Sequence, residues 1–226
     1  MLYQIEGSST RILGSMHFVP PGQHGWVAPV RRAFEWADQI VVEMKSENAP
    51  SLFTMPFELN ATALPQELYS KVERDWSLTG LPAIDQCNLP GICLAMAAVS
   101  LLRHDGVEPS IRAWADEAGK EVKELEGPNS FLASMADVPL ADFVASLGRF
   151  FMNRPLAQRR FEAMYRAWRG HSKAKLYSLI VADMPRSVWR GIFEHRNKQW
   201  APTITRLAGE APIACSCARI FRARLT

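Results

Sequence analysis

The order strand, helix, strand between residues 11 and 44 is the feature that most constrains the fold of this chain. The apolar run "RILGSM" ends next to His17, the segment "APVRRAFEWADQ" follows, and "QIVVEM" is a second apolar run. Apolar residues in the middle segment recur at i, i+3, i+4 and i+7, which predicts an amphipathic helix. Two strands that flank one helix predict a parallel βαβ unit.

The rest of the chain extends this start into an α/β fold. "LYQIEG" predicts a strand that forms a hairpin with "RILGSM", "KEVKELEG" predicts a later strand, and "PIACSCARIF" a last one. Residues 46–64 carry loop signals, and residues 129–200 carry helical patterns without strand signals. We therefore predict a single domain over residues 1–226, with a mixed β-sheet and a mainly helical insertion at approximately residues 129–200.

Composition excludes several classes of protein. The chain has 226 residues, of which 48% are hydrophobic and 22% charged, as is typical of globular proteins. A net charge of +3 without a run of basic residues does not favour nucleic acid as a partner. The longest apolar stretch, "GICLAMAAVSLL", is too short to span a bilayer, so we do not expect a transmembrane protein. The N-terminus has no leader-like pattern, which predicts a cytoplasmic location unless a leader has been removed.

A histidine and a carboxylate stand at the ends of the two strands of the βαβ unit. Parallel sheets bind ligands at the C-terminal ends of their strands, and His17 and Glu43 each lie at or near such an end. One interpretation is that Glu43 lies at the mouth of its strand and pairs with an arginine, because a buried carboxylate needs a compensating cation. The other is that His17 and Glu43 share one crevice and bind a divalent metal, for which both are suitable ligands. The sequence leaves both interpretations open.

Gly14 stands three residues before His17. A residue without a Cβ atom at this point allows the close approach of another group to the backbone, or a bulge that re-aims the histidine. The glycine therefore favours the interpretation in which His17 has a functional role.

Four motifs, in order along residues 2 to 207, resemble the TraB/GumN family, which is related to the Tiki metalloproteases. They are a strand that ends in Gly-x-x-His, the helix and strand "AFEWADQIVVEM", the Leu-Glu end of "GKEVKELEG", and the helix "EHRNKQWAPTI". Members of this family are thought to be metal-dependent hydrolases, with peptidase activity in the Tiki branch. The resemblance thus implies a TraB/GumN-like fold and hydrolysis of peptide or amide bonds.

The resemblance also implies a set of site residues. His17 and Glu43 would hold a divalent metal ion of unknown identity, and Gly14 would be the structural glycine of the first motif. The implied catalytic residues are Glu126, Arg196 and Asn197. Such an ion lowers the pKa of bound water and polarises a carbonyl, while a second carboxylate can take the proton. Arg196 would steady a charged intermediate or neutralise the acidic cluster. The expected partner is a peptide or small-molecule substrate.

The C-terminal segment departs from the family pattern. The family carries a second Gly-x-x-His after its final strand, whereas neither glycine nor histidine follows Gly209. We therefore consider two functional classes: a metal-dependent hydrolase with an incomplete site, or a non-catalytic binding module that keeps the fold.

We also expect a frameshifted, shortened C-terminus, since codons for residues 219–223 can encode His-Leu-Pro-Gly in another frame. A sheet without its last unit would expose apolar surface, which a second copy could cover in a homodimer.

Overall fold

The chain folds into a mixed β-sheet with helices packed around it. The structure is a computed structural model that describes residues 2–5, 7–20, 23, 28–45, 48–100, 104–105, 108–152, 154–182, 184–209 and 213–217. The strands are β1 (Leu2–Gln4), β2 (Arg11–Gly14), β3 (Phe18–Val19), β4 (Gln39–Val42), β5 (His104–Asp105), β6 (Glu121–Glu124) and β7 (Ile213–Cys217). The α-helices are α1 (Ala28–Trp36), α2 (Ala49–Thr54), α3 (Gln66–Trp76), α4 (Leu89–Ser100), α5 (Glu108–Ala118), α6 (Pro128–Ser134), α7 (Leu140–Met152), α8 (Arg154–Arg169), α9 (Lys173–Val181), α10 (Arg186–Trp189) and α11 (Arg196–Ala208).

The main sheet has the strand order β1-β2-β7-β4-β6. The hairpin of β1 with β2 is antiparallel, and β2, β7, β4 and β6 are parallel to one another. The predicted mixed α/β fold with a mainly helical part is thus confirmed. The two strands of the βαβ start are not neighbours, however, because the last strand, β7, lies between β2 and β4 and pairs with both.

Helices cover both faces of this sheet. One face buries Leu13, Ile40 and Val42 against α1 and α5. The opposite face buries Ile12 and Val41 against α11. This alternation of buried side chains follows from the two-residue period of a strand, and burial on both faces explains why "QIVV" is an uninterrupted apolar run.

The helices α6 to α11 separate β6 from β7 along the chain. Of these, α6, α7 and α10 build a second, larger core together with α2, α3 and α4, in which Leu89, Ile92 and Met96 of α4 meet Phe143 and Leu147 of α7. None of these five side chains is more than 1% exposed. Within the described residues, no helix is long and apolar enough to cross a bilayer. The single-domain assignment stays a prediction.

The loop prediction for residues 46–64 is wrong in part, because α2 and a 3-10 turn at Ala61–Ala63 lie there. The buried side chain of Asn88, just before α4, donates to the carbonyl oxygens of Leu52 (2.7 Å) and Met55 (3.1 Å). It also accepts from the backbone N–H of Gly91. A residue more than 30 positions away therefore holds the end of α2, which local patterns do not reveal.

One turn of π-helix, Arg190–His195, joins α10 to α11. The residues that border it have right-handed helical backbone angles, so α10, the π-turn and α11 form one continuous helix. A π-turn adds a residue to the turn and changes the face on which all later residues lie. Arg196, the first residue of α11, takes its direction from this turn.

Candidate active site

Both predicted carboxylates lie at the C-terminal edge of the main sheet. Glu43 directly follows β4, and Glu126 comes two residues after β6. The parallel pairing continues past the strands, since Leu125 N donates to Val42 O (2.9 Å) and Glu126 N donates to Glu43 O (3.0 Å). This backbone hydrogen bond holds the two glutamates side by side.

His17 faces the first of these carboxylates. Its Nε2 atom lies 3.5 Å from Oε2 of Glu43. The His17 side chain is 35% exposed, whereas that of Glu43 is 8% exposed. The distance is longer than an ordinary N–H···O hydrogen bond, so the two groups are in ion-pair range without a direct hydrogen bond of normal length.

Arg196 lies behind the two glutamates and is 4% exposed. Its Nη2 atom donates to Glu43 Oε2 at 2.6 Å, and its Nε atom donates to Glu126 Oε1 at 2.8 Å. Nη2 also contacts Glu126 Oε1. Glu43 therefore pairs with an arginine and also faces His17. Binding of a metal by His17 and Glu43 stays a prediction.

Aromatic rings enclose the guanidinium group. Arg196 Cζ lies 4.5 Å from the ring centre of Trp200 and 5.1 Å from that of Phe131. The rings exclude water while their faces attract the cation. Arg196 Nη1 also donates to the carbonyl of Ile192 in the π-turn, at 3.4 Å. The arginine is thus fixed from its own helix and from α6.

Burial and charge shift the pKa values inside the cluster. Burial lowers the pKa of Arg196, but the charges of Glu43 and Glu126 outweigh it and leave that pKa above its usual value. Burial raises the pKa of Glu126 above its usual value, although Arg196 partly offsets this effect. Within the described residues, the buried atoms Trp200 Nε1 and Glu126 Oε2 have no hydrogen-bond partner.

The four side chains Glu43, Glu126, Arg196 and His17 carry more negative than positive charge when His17 is neutral. With both glutamates ionised and His17 neutral, one guanidinium faces two carboxylates, and the four side chains sum to one negative charge. A proton or a cation bound beside His17 and Glu43 would balance the charges of these four side chains.

Gly14 and Asn197 are close in sequence to His17 and Arg196, respectively. The register of β2 with β7 runs without interruption through Gly14, so β2 has no bulge at this residue. Trp168 Nε1 donates to Gly14 O at 2.5 Å. The role of the missing Cβ atom at Gly14 stays a prediction. Asn197 follows Arg196 in α11 and is half-buried.

Sequence reasoning did not assign a role to Phe131, Trp168, Gly191 or Trp200. A signal existed for Trp200, because the spacing Arg-x-x-x-Trp places it on the same helix face as Arg196. Phe131 and Trp168 reach the site from other helices, and nothing in their local patterns distinguishes them from core residues.

The donor set fits a divalent ion in part. Two ligands on one ion at bond lengths of about 2.0–2.2 Å are themselves about 3–3.5 Å apart, which matches the His17–Glu43 distance of 3.5 Å. Within the described residues, no group of three His, Cys, Asp or Glu side chains is arranged to hold one ion. The pair therefore fits an ion that keeps positions for water and substrate, but not a closed four-ligand structural site.

The fold and site together define an α/β protein with a histidine–carboxylate cluster at the C-terminal edge of a parallel sheet. A sequence profile of the TraB/PrgY/gumN family matches residues 1–214, and the chain belongs to this family. The family resemblance seen in the motifs is thereby confirmed. No curated protein and no solved structure matches the chain significantly.

The predicted frameshift concerns residues 219–223, which lie outside the described residues.

Proposed function

We propose that this protein is a metal-dependent hydrolase that acts on peptide or amide bonds, with His17 and Glu43 at its reacting end. The observation that carries the proposal is the 3.5 Å approach of His17 Nε2 to Glu43 Oε2 at the edge of a parallel sheet. Family membership supports it, because the resemblance implied this chemistry for the same two residues.

The side chains of the cluster differ in exposure to solvent. We call His17 and Glu43, the pair that includes the exposed histidine, the front pair. His17 is 35% exposed and can meet a substrate, whereas the side chains of Glu126 and Arg196 are only 1% and 5% exposed. We therefore assign Arg196 the neutralising role rather than direct contact with an intermediate. Glu126 then holds Arg196 in place, and His17 with Glu43 is left to accept the proton from the attacking water.

In this reaction a water oxygen bonds to the amide carbon, the carbon–nitrogen bond breaks, and the water proton passes to the leaving nitrogen. A divalent ion bound by His17 and Glu43 would lower the pKa of the attacking water and polarise the carbonyl. Glu43 is oriented by Arg196, which binds its Oε2 atom. The guanidinium thus fixes the angle at which Glu43 faces His17.

Metal titration of the purified chain tests the proposal. We expect wild-type protein to bind about one Mn²⁺ or Zn²⁺ and a His17→Ala variant to lose this binding, because one of two protein ligands is gone. His171→Asn is the matched control: His171 is exposed, and asparagine tolerates its positive φ of 55°. The control should bind like wild type. Equal binding by wild type and His17→Ala would contradict the proposal.

A second function has its own support. Arg196 already compensates both buried carboxylates, as it would in a non-catalytic binding module that keeps the fold. Cleavage of a mixed peptide library by metal-loaded protein, abolished by Glu43→Gln, supports the hydrolase. Binding of peptides without cleavage supports the module.

A further inference from the structure

His17 lies between residues that are fastened to the helical part of the protein. Met16 and Val19, on either side of it, pack in one cluster with Tyr165, Trp168 and other residues of α8 and α9. Val19 is fully buried, and β3, which contains it, pairs with β5. His17 is therefore a half-buried residue in a segment whose neighbours are anchored.

A buried indole fixes the start of this segment. Trp168 is 2% exposed, and its Nε1 atom donates to Gly14 O at 2.5 Å. Gly14 is the last residue of β2, so this bond sits at the point where the chain leaves the sheet toward His17. A backbone carbonyl at the end of a strand needs a hydrogen-bond partner, and the indole N–H of Trp168 supplies it, which ties Gly14 to α8.

The position of Trp168 is itself well determined. Its ring stacks on Tyr165, with centroids 6.1 Å apart and an interplanar angle of 27°. Its carbonyl accepts from His171 N, and Ser172 N donates to Ala167 O. These two bonds form a Schellman motif, with His171 in the left-handed conformation at φ 55°. The helix end that carries the indole is therefore closed by its own hydrogen bonds.

We propose that Trp168 is a positioning residue for His17, acting through its hydrogen bond to Gly14. The bond holds the Gly14–His17 turn so that the imidazole stays opposite Glu43. The inference deepens the proposed function and rests on it, because the hydrogen bond of Trp168 would serve to place His17 as a metal ligand. Residues that orient ligands in this way contribute strongly to metal affinity.

Trp168→Phe tests the inference, since it removes the N–H and keeps the aromatic packing. We expect Mn²⁺ or Zn²⁺ affinity to fall about 10-fold or more. The matched control is Trp76→Phe: Trp76 is 6% exposed, and its Nε1 donates to the carbonyl of Pro82 at 2.7 Å. It loses an equivalent bond in the second core, so metal affinity should be unchanged. Should Trp168→Phe fail to fold, benzothienylalanine at position 168 replaces only the N–H by sulfur.

A metal-free measurement separates this inference from the proposed function. The imidazole ¹H–¹⁵N resonances of His17 should shift in Trp168→Phe and stay in place in Trp76→Phe. If wild-type protein binds no ion, the proposed function fails, while a selective shift still supports the contact through Trp168. Unchanged His17 resonances in Trp168→Phe, or unchanged metal affinity in a wild type that binds the ion, would overturn the inference.

Discussion

Arg196 Nη2 lies 2.6 Å from Oε2 of Glu43, the same oxygen that faces His17 at 3.5 Å. One carboxylate oxygen thus connects a fully enclosed cation to a histidine that is open to solvent. Any change to the buried guanidinium therefore acts on the orientation of the front pair.

Removing the buried cation should be costly. In Arg196→Met two buried carboxylates lose their guanidinium, and we expect the free energy of unfolding at neutral pH to fall by about 3–5 kcal/mol. Urea denaturation measures it. Arg190→Met is the control on the same continuous helix: Arg190 is 54% exposed and lies 3.8 Å from Glu194, so its loss should cost less than about 1 kcal/mol. Similar losses in the two variants would argue against a buried charge cluster.

Glu126 should make stability fall as pH rises. Its pKa is raised in the folded state, mainly by burial, so its stabilising contribution is complete below the unfolded pKa of about 4.3 and is lost as pH rises through the folded pKa. Glutamine does not titrate. The stability of Glu126→Gln relative to wild type should therefore increase as pH rises above the unfolded pKa of about 4.3, as measured by urea midpoints.

The control for this pH series has the opposite sign. The control residue is Glu67, whose pKa is lowered by a hydrogen bond from Lys71. The stabilising contribution of Glu67 is therefore present above its unfolded pKa and is lost as pH falls. Glu67→Gln should become less stable relative to wild type as pH rises. Parallel slopes for Glu126→Gln and Glu67→Gln would refute the assignment.

The π-turn should not tolerate a side chain at Gly191. A Cβ atom there would lie 2.7 Å from Met135 Sδ and 2.8 Å from Ser134 O, and the carbonyl cannot move without α6. We expect Gly191→Ala to lower the free energy of unfolding by about 1–3 kcal/mol. A Cβ atom at Gly148 in α7 would meet nothing within 4 Å. Gly148→Ala should thus stabilise the protein by about 0.5–1 kcal/mol, and a gain from Gly191→Ala would count against tight packing of the π-turn on α6.

Glycine at position 171, in the turn between α8 and α9, should stabilise the protein. His171 has φ 55° and is exposed, and the left-handed region costs a side-chain-bearing residue about 1–2 kcal/mol. We expect His171→Gly to raise the thermal midpoint, as followed by circular dichroism. Ala174→Gly, within α9, introduces the same residue at a helical position and should lower the midpoint, because glycine costs about 1 kcal/mol in a helix. A loss in His171→Gly would show that the side chain has a role beyond the turn.

Local sequence patterns determined the α/β class, the first hairpin, α1, and the positions of His17, Glu43 and Glu126 at strand ends. Periodicity and turn residues fix these features within single segments. Glu43 was expected at or near the end of its strand and lies one residue beyond it. The short helix α2 was missed because Asn88 stabilises its end from outside the segment.

Tertiary structure alone decided how the site is assembled. It placed β7 between β2 and β4, turned Arg196 toward both glutamates through a π-turn, and brought Trp168 to Gly14 across 154 positions of sequence. A segment's apolar pattern states which of its faces is buried, but not which strand or helix buries it. That choice depends on strand order and helix packing over the whole chain.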